Sequence, residues 1–280
     1  MIGCSKRESE ELSGSGILEA TEILISAKSA GTLIEMPVAE GIVVSAGQMI
    51  AQIDTEKIYL QKKQLIAAWT ELKLNLQNAQ RGVDLARENL ENIKKKYQRI
   101  KALLEENSAT QQQYDDIFTA YQAAQVQYDN AMTSLKALRA KEDQLVAQLE
   151  LIESQLRDTK ITAPITGTII EKYVEQGEIA RVGGPIVSMA DLQKMWIKVF
   201  FKEPALGRIK LNSPAEIRIS AYPDRSFPGR VSWISPRAEF TPKTVQTKEA
   251  RSDLVYAVKI EVLNPDGVLK IGMPADVVIK

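Results

Sequence analysis

Gly31-Thr32-Leu33-Ile34-Glu35-Met36-Pro37-Val38-Ala39-Glu40-Gly41 is echoed far downstream by Gly167-Thr168-Ile169-Ile170-Glu171-Lys172-Tyr173-Val174-Glu175-Gln176-Gly177. In both copies a third glycine follows six residues later, Gly47 and Gly183, and then an isoleucine, Ile50 and Ile186. Glycines at equal offsets mark equivalent turns, and the Val/Ile positions between them mark equivalent strands. Each copy is too small to bury its own apolar face. The repeat therefore predicts two halves clasped into one small β-sandwich.

What separates the copies is of another kind. Residues 57–159 contain no proline and one glycine, Gly82, and are rich in Ala, Leu, Gln, Glu, Lys and Arg, which is helix composition. Apolar residues recur every seven positions as Leu65, Leu72, Ala79, Ala86, Ile93 and Ile100. A second series, Trp69, Leu76, Val83, Leu90, Tyr97 and Leu104, runs four residues behind. This 3/4 spacing is a coiled-coil seam. It restarts as Tyr114, Ile117, Tyr121, Ala124, Tyr128, Ala131, Leu135 and Leu138 and continues to Leu156, interrupted at Glu142. Between the stripes, Asn107 is placed to end one helix and Ser108 or Thr110 to cap the next. Two equal helices joined so tightly run antiparallel.

Outside the repeat, residues 191–280 alternate as strands: Trp196–Phe201, Ala215–Ile219, Arg230–Ile234, Tyr256–Val262 and Ala275–Ile279, with turns at Tyr222-Pro223-Asp224-Arg225 and Asn264-Pro265-Asp266-Gly267. This spacing predicts a small antiparallel barrel, to which Ile17-Leu18-Glu19-Ala20 adds a strand. The chain ends soon after the last strand. The fold class expected is mixed α and β, elongated: a long antiparallel coiled-coil α-hairpin inserted into a split β-sandwich, followed by the barrel. The boundaries read as a tether over 1–14, a sandwich from 21–56 and 158–190, a hairpin over 57–157 with its tip near 105–110, and a barrel from 15–20 and 191–280.

Composition excludes much chemistry. The 280 residues include no histidine and one cysteine. No Ser-His-Asp or Cys-His site, HExxH zinc motif, CxxC redox pair or thiolate metal cluster can be assembled. Thirty-six Lys+Arg balance 36 Asp+Glu, which removes the electrostatic attraction that nonspecific nucleic-acid binding needs. Gly14-Ser15-Gly16 is followed by Ile17-Leu18-Glu19 and fits no phosphate-binding fingerprint. The expectation is a protein that is not an enzyme, with no metal, no cofactor and no nucleic-acid partner.

The paired half-motifs resemble the split lipoyl domain of HlyD-type membrane fusion proteins, the periplasmic adaptors of bacterial efflux and secretion systems. Ala163-Pro164-Ile165-Thr166-Gly167-Thr168-Ile169 is similar to the stretch that opens that family's second half. The family carries Arg-x3-Leu-x6-Ser/Thr at the hairpin tip, and Arg99, Leu103 and Thr110 stand at those spacings. By resemblance these three engage a TolC-like outer-membrane channel. Glu239-Phe240-Thr241-Pro242, Asp253-Leu254-Val255-Tyr256 and Leu269-Lys270-Ile271-Gly272-Met273-Pro274 look like the barrel of adaptors paired with ABC-type exporters. The resemblance implies a periplasmic, membrane-associated, non-catalytic homo-oligomer, a hexamer in the family, linking an inner-membrane transporter to the channel.

The residues support the tip assignment by themselves too. Arg99 offers a planar fork of donors for carbonyls or carboxylates at a partner's helix ends. Leu103 supplies an apolar knob and Thr110 a small polar cap. Lys94-Lys95-Lys96 reads as a solvated face, with attraction to an acidic channel rim as its functional alternative. Ile2-Gly3-Cys4-Ser5 looks like the end of a lipobox, which makes Cys4 the candidate for lipidation, with Ser5–Gly16 as a flexible tether. Asp54-Thr55-Glu56-Lys57 resembles the turn on which lipoyl or biotinyl carriers present their lysine. In a carrier the second half follows within a few residues, whereas here it begins about a hundred later, so Lys57 is expected in the first turn of a helix. A lipoyl or biotinyl-like carrier, or a coiled-coil scaffold, is the alternative reading.

Overall fold

The computed structural model describes residues 12–240 and 254–280. The described residues divide into two compact units, one of residues 12–53 with 161–240 and 254–280 and one of residues 54–160.

The first unit holds β1 (Leu12–Ser26), β2 (Gly31–Glu35), β3 (Val43–Val44), β4 (Met49–Ile53), β5 (Lys160–Thr162), β6 (Gly167–Lys172), β7 (Ile179–Ala180) and β8 (Pro185–Lys202). It continues with a four-residue helix, Glu203–Leu206, and β9 (Pro214–Ile219), β10 (Ser226–Ile234), β11 (Glu239–Phe240), β12 (Leu254–Leu263) and β13 (Pro274–Ile279). The repeat is visible in its hydrogen bonds. Gly41 donates its N–H to Ile169 O at 2.8 Å, and Gly177 donates to Leu33 O at 2.8 Å. Likewise Gly47 donates to Ala163 O and Gly183 to Ala27 O, each at 2.8 Å. Every glycine reaches into the opposite half, at the position matching the one its counterpart reaches. All four have φ between +77° and +94°, a region open to glycine without a Cβ penalty. The clasp encloses a core that includes Leu33, Val44, Ile50, Ile53, Ile169, Ile186 and Met189.

In the same unit β8, β12, β10, β9, β13 and β1 pair antiparallel in that order and close back on β8, giving a six-stranded barrel. Closure removes the edges that an open sheet would leave unpaired. Its core includes Leu18, Met195, Ile197, Val199, Ile217, Val231, Ile260 and Val277.

Two features depart from the sequence expectation. First, sandwich and barrel share strands: β1 and β8 run through both, pairing at Leu18↔Ile197 in the barrel and Ile23↔Met189 in the sandwich. The junctions expected at 20/21 and 190/191 coincide with the shift in this pairing, between Ala20 and Glu22 on β1 and between Ala190 and Met195 on β8, but they lie within single strands rather than between separate ones. Second, β1 starts at Leu12, paired with Ile279, so residues 12–14 are strand rather than tether. Glycine here serves close packing, since a Cβ on Gly16 would collide with Lys198 O. Cys4 and residues 241–253 of the barrel motif lie outside the described residues.

The second unit is a helical hairpin, α1 (Glu56–Glu105) and α2 (Gln111–Asp158). At 1.5 Å per residue, α1 is about 75 Å long. Lys62 Nζ meets Glu153 Oε1 at 2.9 Å near one end, and Tyr97 meets Tyr114 and Tyr121 near the other, which is antiparallel pairing. The buried residues, Leu72, Val83 and Ala86 on α1 and Ala124, Leu135, Leu145 and Ile152 on α2, all belong to the heptad stripes. Where Glu142 interrupts the stripe, it lines a shallow groove with Arg81, Arg139 and Gln80. Lys57 lies in the first turn of α1.

Candidate functional site: the hairpin tip

The turn between α1 and α2 is closed from both sides by backbone chemistry. Asn107 takes φ +56°, the left-handed conformation that asparagine tolerates at a helix C-terminus. Ser108 N–H then donates to Leu103 O at 2.7 Å and Asn107 N–H to Leu104 O at 2.9 Å. These paired bonds form a Schellman motif, which satisfies carbonyls that the end of α1 leaves without helical partners. On the other side Thr110 caps α2. Its hydroxyl accepts from Gln113 N–H at 3.2 Å, and Gln113 Oε1 accepts from Thr110 N–H at 2.9 Å, a capping box. Of the two capping candidates, Thr110 fills the role.

Below the turn lies an aromatic cluster. The Tyr97 ring stacks on Tyr121 at 5.2 Å and tilts against Tyr114 and Phe118 at 5.8 Å, and Tyr114 stacks on Phe118 at 6.0 Å. Such pairs add packing energy beyond area burial. The Tyr97 and Tyr114 hydroxyl oxygens are 3.2 Å apart. That hydrogen bond, followed by desolvation, raises the Tyr114 pKa above the ordinary phenol value. Phe118 falls outside the heptad stripes. Its lateral position behind Tyr114 and Tyr121, at helical spacing from both, was the signal that could have placed it here.

Of the three motif residues, Arg99 is exposed, Leu103 half-buried and Thr110 exposed. Arg99 and Leu103 are one turn apart on α1, hence on one face, and neither occupies a seam position. Thr110 follows them across the turn with its hydroxyl engaged in the cap. Lys94, Lys95 and Lys96 are all exposed. Among the described residues no cluster of acidic or cysteine side chains is arranged to hold a metal ion. No helix among them is long and apolar enough to cross a membrane.

Comparison with known proteins gives a consistent picture. Residues 21–189 match the family profile described as RND MFP, barrel-sandwich hybrid domain. Residues 194–280 match that of the CusB-like β-barrel domain. A UPF0194 membrane protein encoded in the asrC 5' region of Acidithiobacillus ferridurans is 40% identical over 131 residues, covering 47% of this chain and 39% of that protein. A UPF0194 membrane protein of Enterobacter sp. (strain 638) is 34% identical over 125 residues, covering 45% of this chain and 38% of that protein. The matches thus span less than half the length of these curated relatives. Among solved structures, MacA from Actinobacillus actinomycetemcomitans superposes with a TM-score of 0.75 at 22% identity, over 96% of this chain and 78% of that one. The likeness establishes a shared fold.

Proposed function

The chain belongs to the RND-type membrane fusion proteins, a family of periplasmic adaptors whose barrel-sandwich hybrid profile covers more than half of it, and on that premise we propose that it is the adaptor of a tripartite efflux or secretion system. It joins an inner-membrane transporter of ABC type to a TolC-like outer-membrane channel and is itself non-catalytic, the transporter supplying the energy. Several copies, six by family resemblance, stand side by side in the periplasm so that their hairpins form a funnel.

The observation that carries this reading is the tip. Both helix ends are capped within the turn itself, and the exposed Arg99 guanidinium stands beside it as a donor fork for a partner. Lateral packing is supported by Leu60, Leu74 and Leu85, which are exposed on α1 away from its seam. It is also supported by the near balance of charge in the hairpin, 15 Lys+Arg against 14 Asp+Glu over residues 57–159. Cys4 is the proposed lipid anchor, checked by intact mass of the protein isolated from its native membrane. Replacing Arg99 with Ala tests the function. The variant should fold normally and yet leave cells hypersensitive to the exported compounds; unchanged sensitivity would contradict a docking role.

A second reading concerns the transporter. The ABC assignment rests on resemblance in the barrel segments, whereas both matched profiles describe RND-linked or CusB-like domains. Affinity capture from solubilised inner membranes separates the two: a nucleotide-binding ABC subunit supports the first, and an RND pump the second.

A further inference from the structure

Where β1 and β8 pass from sandwich to barrel their pairing is interrupted. Ala20 pairs with Met195 and Glu22 with Ala190, so Thr21 faces the four residues 191–194 of β8 that loop away from the ladder. The loop is held in one conformation by Asn264, which is 3% exposed. Its Nδ2 donates to Leu192 O at 2.9 Å and Leu269 O at 3.0 Å, its Oδ1 accepts from Leu269 N–H at 2.9 Å, and its own N–H donates to Gln193 O at 2.9 Å. Beside this fixed wall opens a cavity of about 770 Å³, within the range of small-molecule sites.

Its walls are of two kinds. Ile23, Ile165 and Leu263 supply apolar surface, while Lys194, Arg230 and Lys259 bring three cations against the carboxylates of Asp191 and Glu261. Arg230 and Glu261 are register partners on adjacent strands, as are Glu261 and Trp196. Yet among the described residues none of the three cations forms an ion pair. Lys259 Nζ lies instead over the Trp196 ring, 3.9 Å from its centroid. The Trp196 Nε1 is buried, and no acceptor among the described residues lies within hydrogen-bonding distance of it.

We propose that this cavity is a binding site for a small organic anion with an apolar body, its charge met by Lys194 and Arg230 and its body lying beside Trp196, Ile23 and Leu263. The preformed wall, the apolar lining and the surplus of cations all select for such a molecule. The anchor Asn264 fixes the wall and makes no contact with the ligand.

Nuclear magnetic resonance of the full chain tests this with anilinonaphthalene sulfonate as the probe. The chain has three tryptophans, Trp69, Trp196 and Trp233, and Trp196→Phe assigns the relevant indole N–H signal. Titration should shift that signal and leave the other two in place. Phenylnaphthylamine, the same skeleton without the sulfonate, should bind at least about tenfold more weakly, as should the sulfonate to a Lys194→Gln/Arg230→Gln double variant, consistent with loss of charged hydrogen bonds. Absence of binding, a Trp196 signal that does not move, equal affinity for the uncharged compound, or undiminished binding by the double variant would each overturn the proposal.

Discussion

Tyr97 on α1 and Tyr114 on α2 hold their hydroxyl oxygens 3.2 Å apart across the hairpin, just below its turn. The bond favours neutral Tyr114, so the folded pKa is raised above the unfolded value of about 10. Its contribution to stability is therefore complete below the unfolded pKa and is lost as pH rises through the folded one. Tyr97→Phe should bring the Tyr114 midpoint down toward the ordinary value. Phenolate absorbance followed through alkaline titration measures it, and an unchanged midpoint would show that the bond does not govern Tyr114.

Thr110 has a structural duty beyond any docking role. Thr110→Ala removes the acceptor of the Gln113 N–H and should lower hairpin stability by about 1 kcal/mol, whereas Thr110→Ser should retain most of it. Urea unfolding monitored by helical circular dichroism distinguishes these. Equal stability of all three proteins would contradict the cap.

Leu135 is 3% exposed in the hairpin seam. Leu135→Ala leaves a cavity between α1 and α2 and should cost about 2–5 kcal/mol in the same unfolding experiment. A change within error would mean that the stripe is not packed as described.

Two glycines should respond in opposite directions. A Cβ at Gly82, in the middle of α1, meets nothing within 4 Å, while one at Gly16 collides with Lys198 O. Gly82→Ala should stabilise the hairpin by about 0.5–1 kcal/mol through lower unfolded-chain entropy and better helix propensity. Gly16→Ala should destabilise the barrel. Thermal melts of the two variants, one rising and one falling, check the contrast.

The same contrast explains what could be read from sequence. Gly41, Gly47, Gly177 and Gly183 announce themselves because their spacing repeats, and the structure gives them matching positive φ and reciprocal hydrogen bonds. The seam is equally legible, since burial follows a period of seven from Leu72 to Ile152. Gly14 and Gly16 carry no repeat, so their composition suggests a tether, although Gly16 lies where barrel strands approach too closely for a side chain. The junctions at 20/21 and 190/191 are legible and fall where the pairing shifts, whereas the continuity of β1 and β8 across them is not. Burial alternates through Leu18 and Ala20 and resumes one position out of phase at Ile23 and Ile25, while the partner strand loops out at 191–194; no glycine or proline marks the shift, so nothing local shows that one strand serves both cores. At the tip the motif residues were visible as spacing. Phe118 was not, because it joins the aromatic cluster from beside the seam.

The most direct test of the adaptor reading is in-cell photocrosslinking from a probe at Ser108, which is exposed at the apex of the turn and leaves the Thr110 cap intact. Capture of an outer-membrane channel protein, abolished by Arg99→Ala, is the predicted result. Capture of only further copies of this chain, or of a cytoplasmic enzyme, would contradict tip docking and with it the conduit between the two membranes.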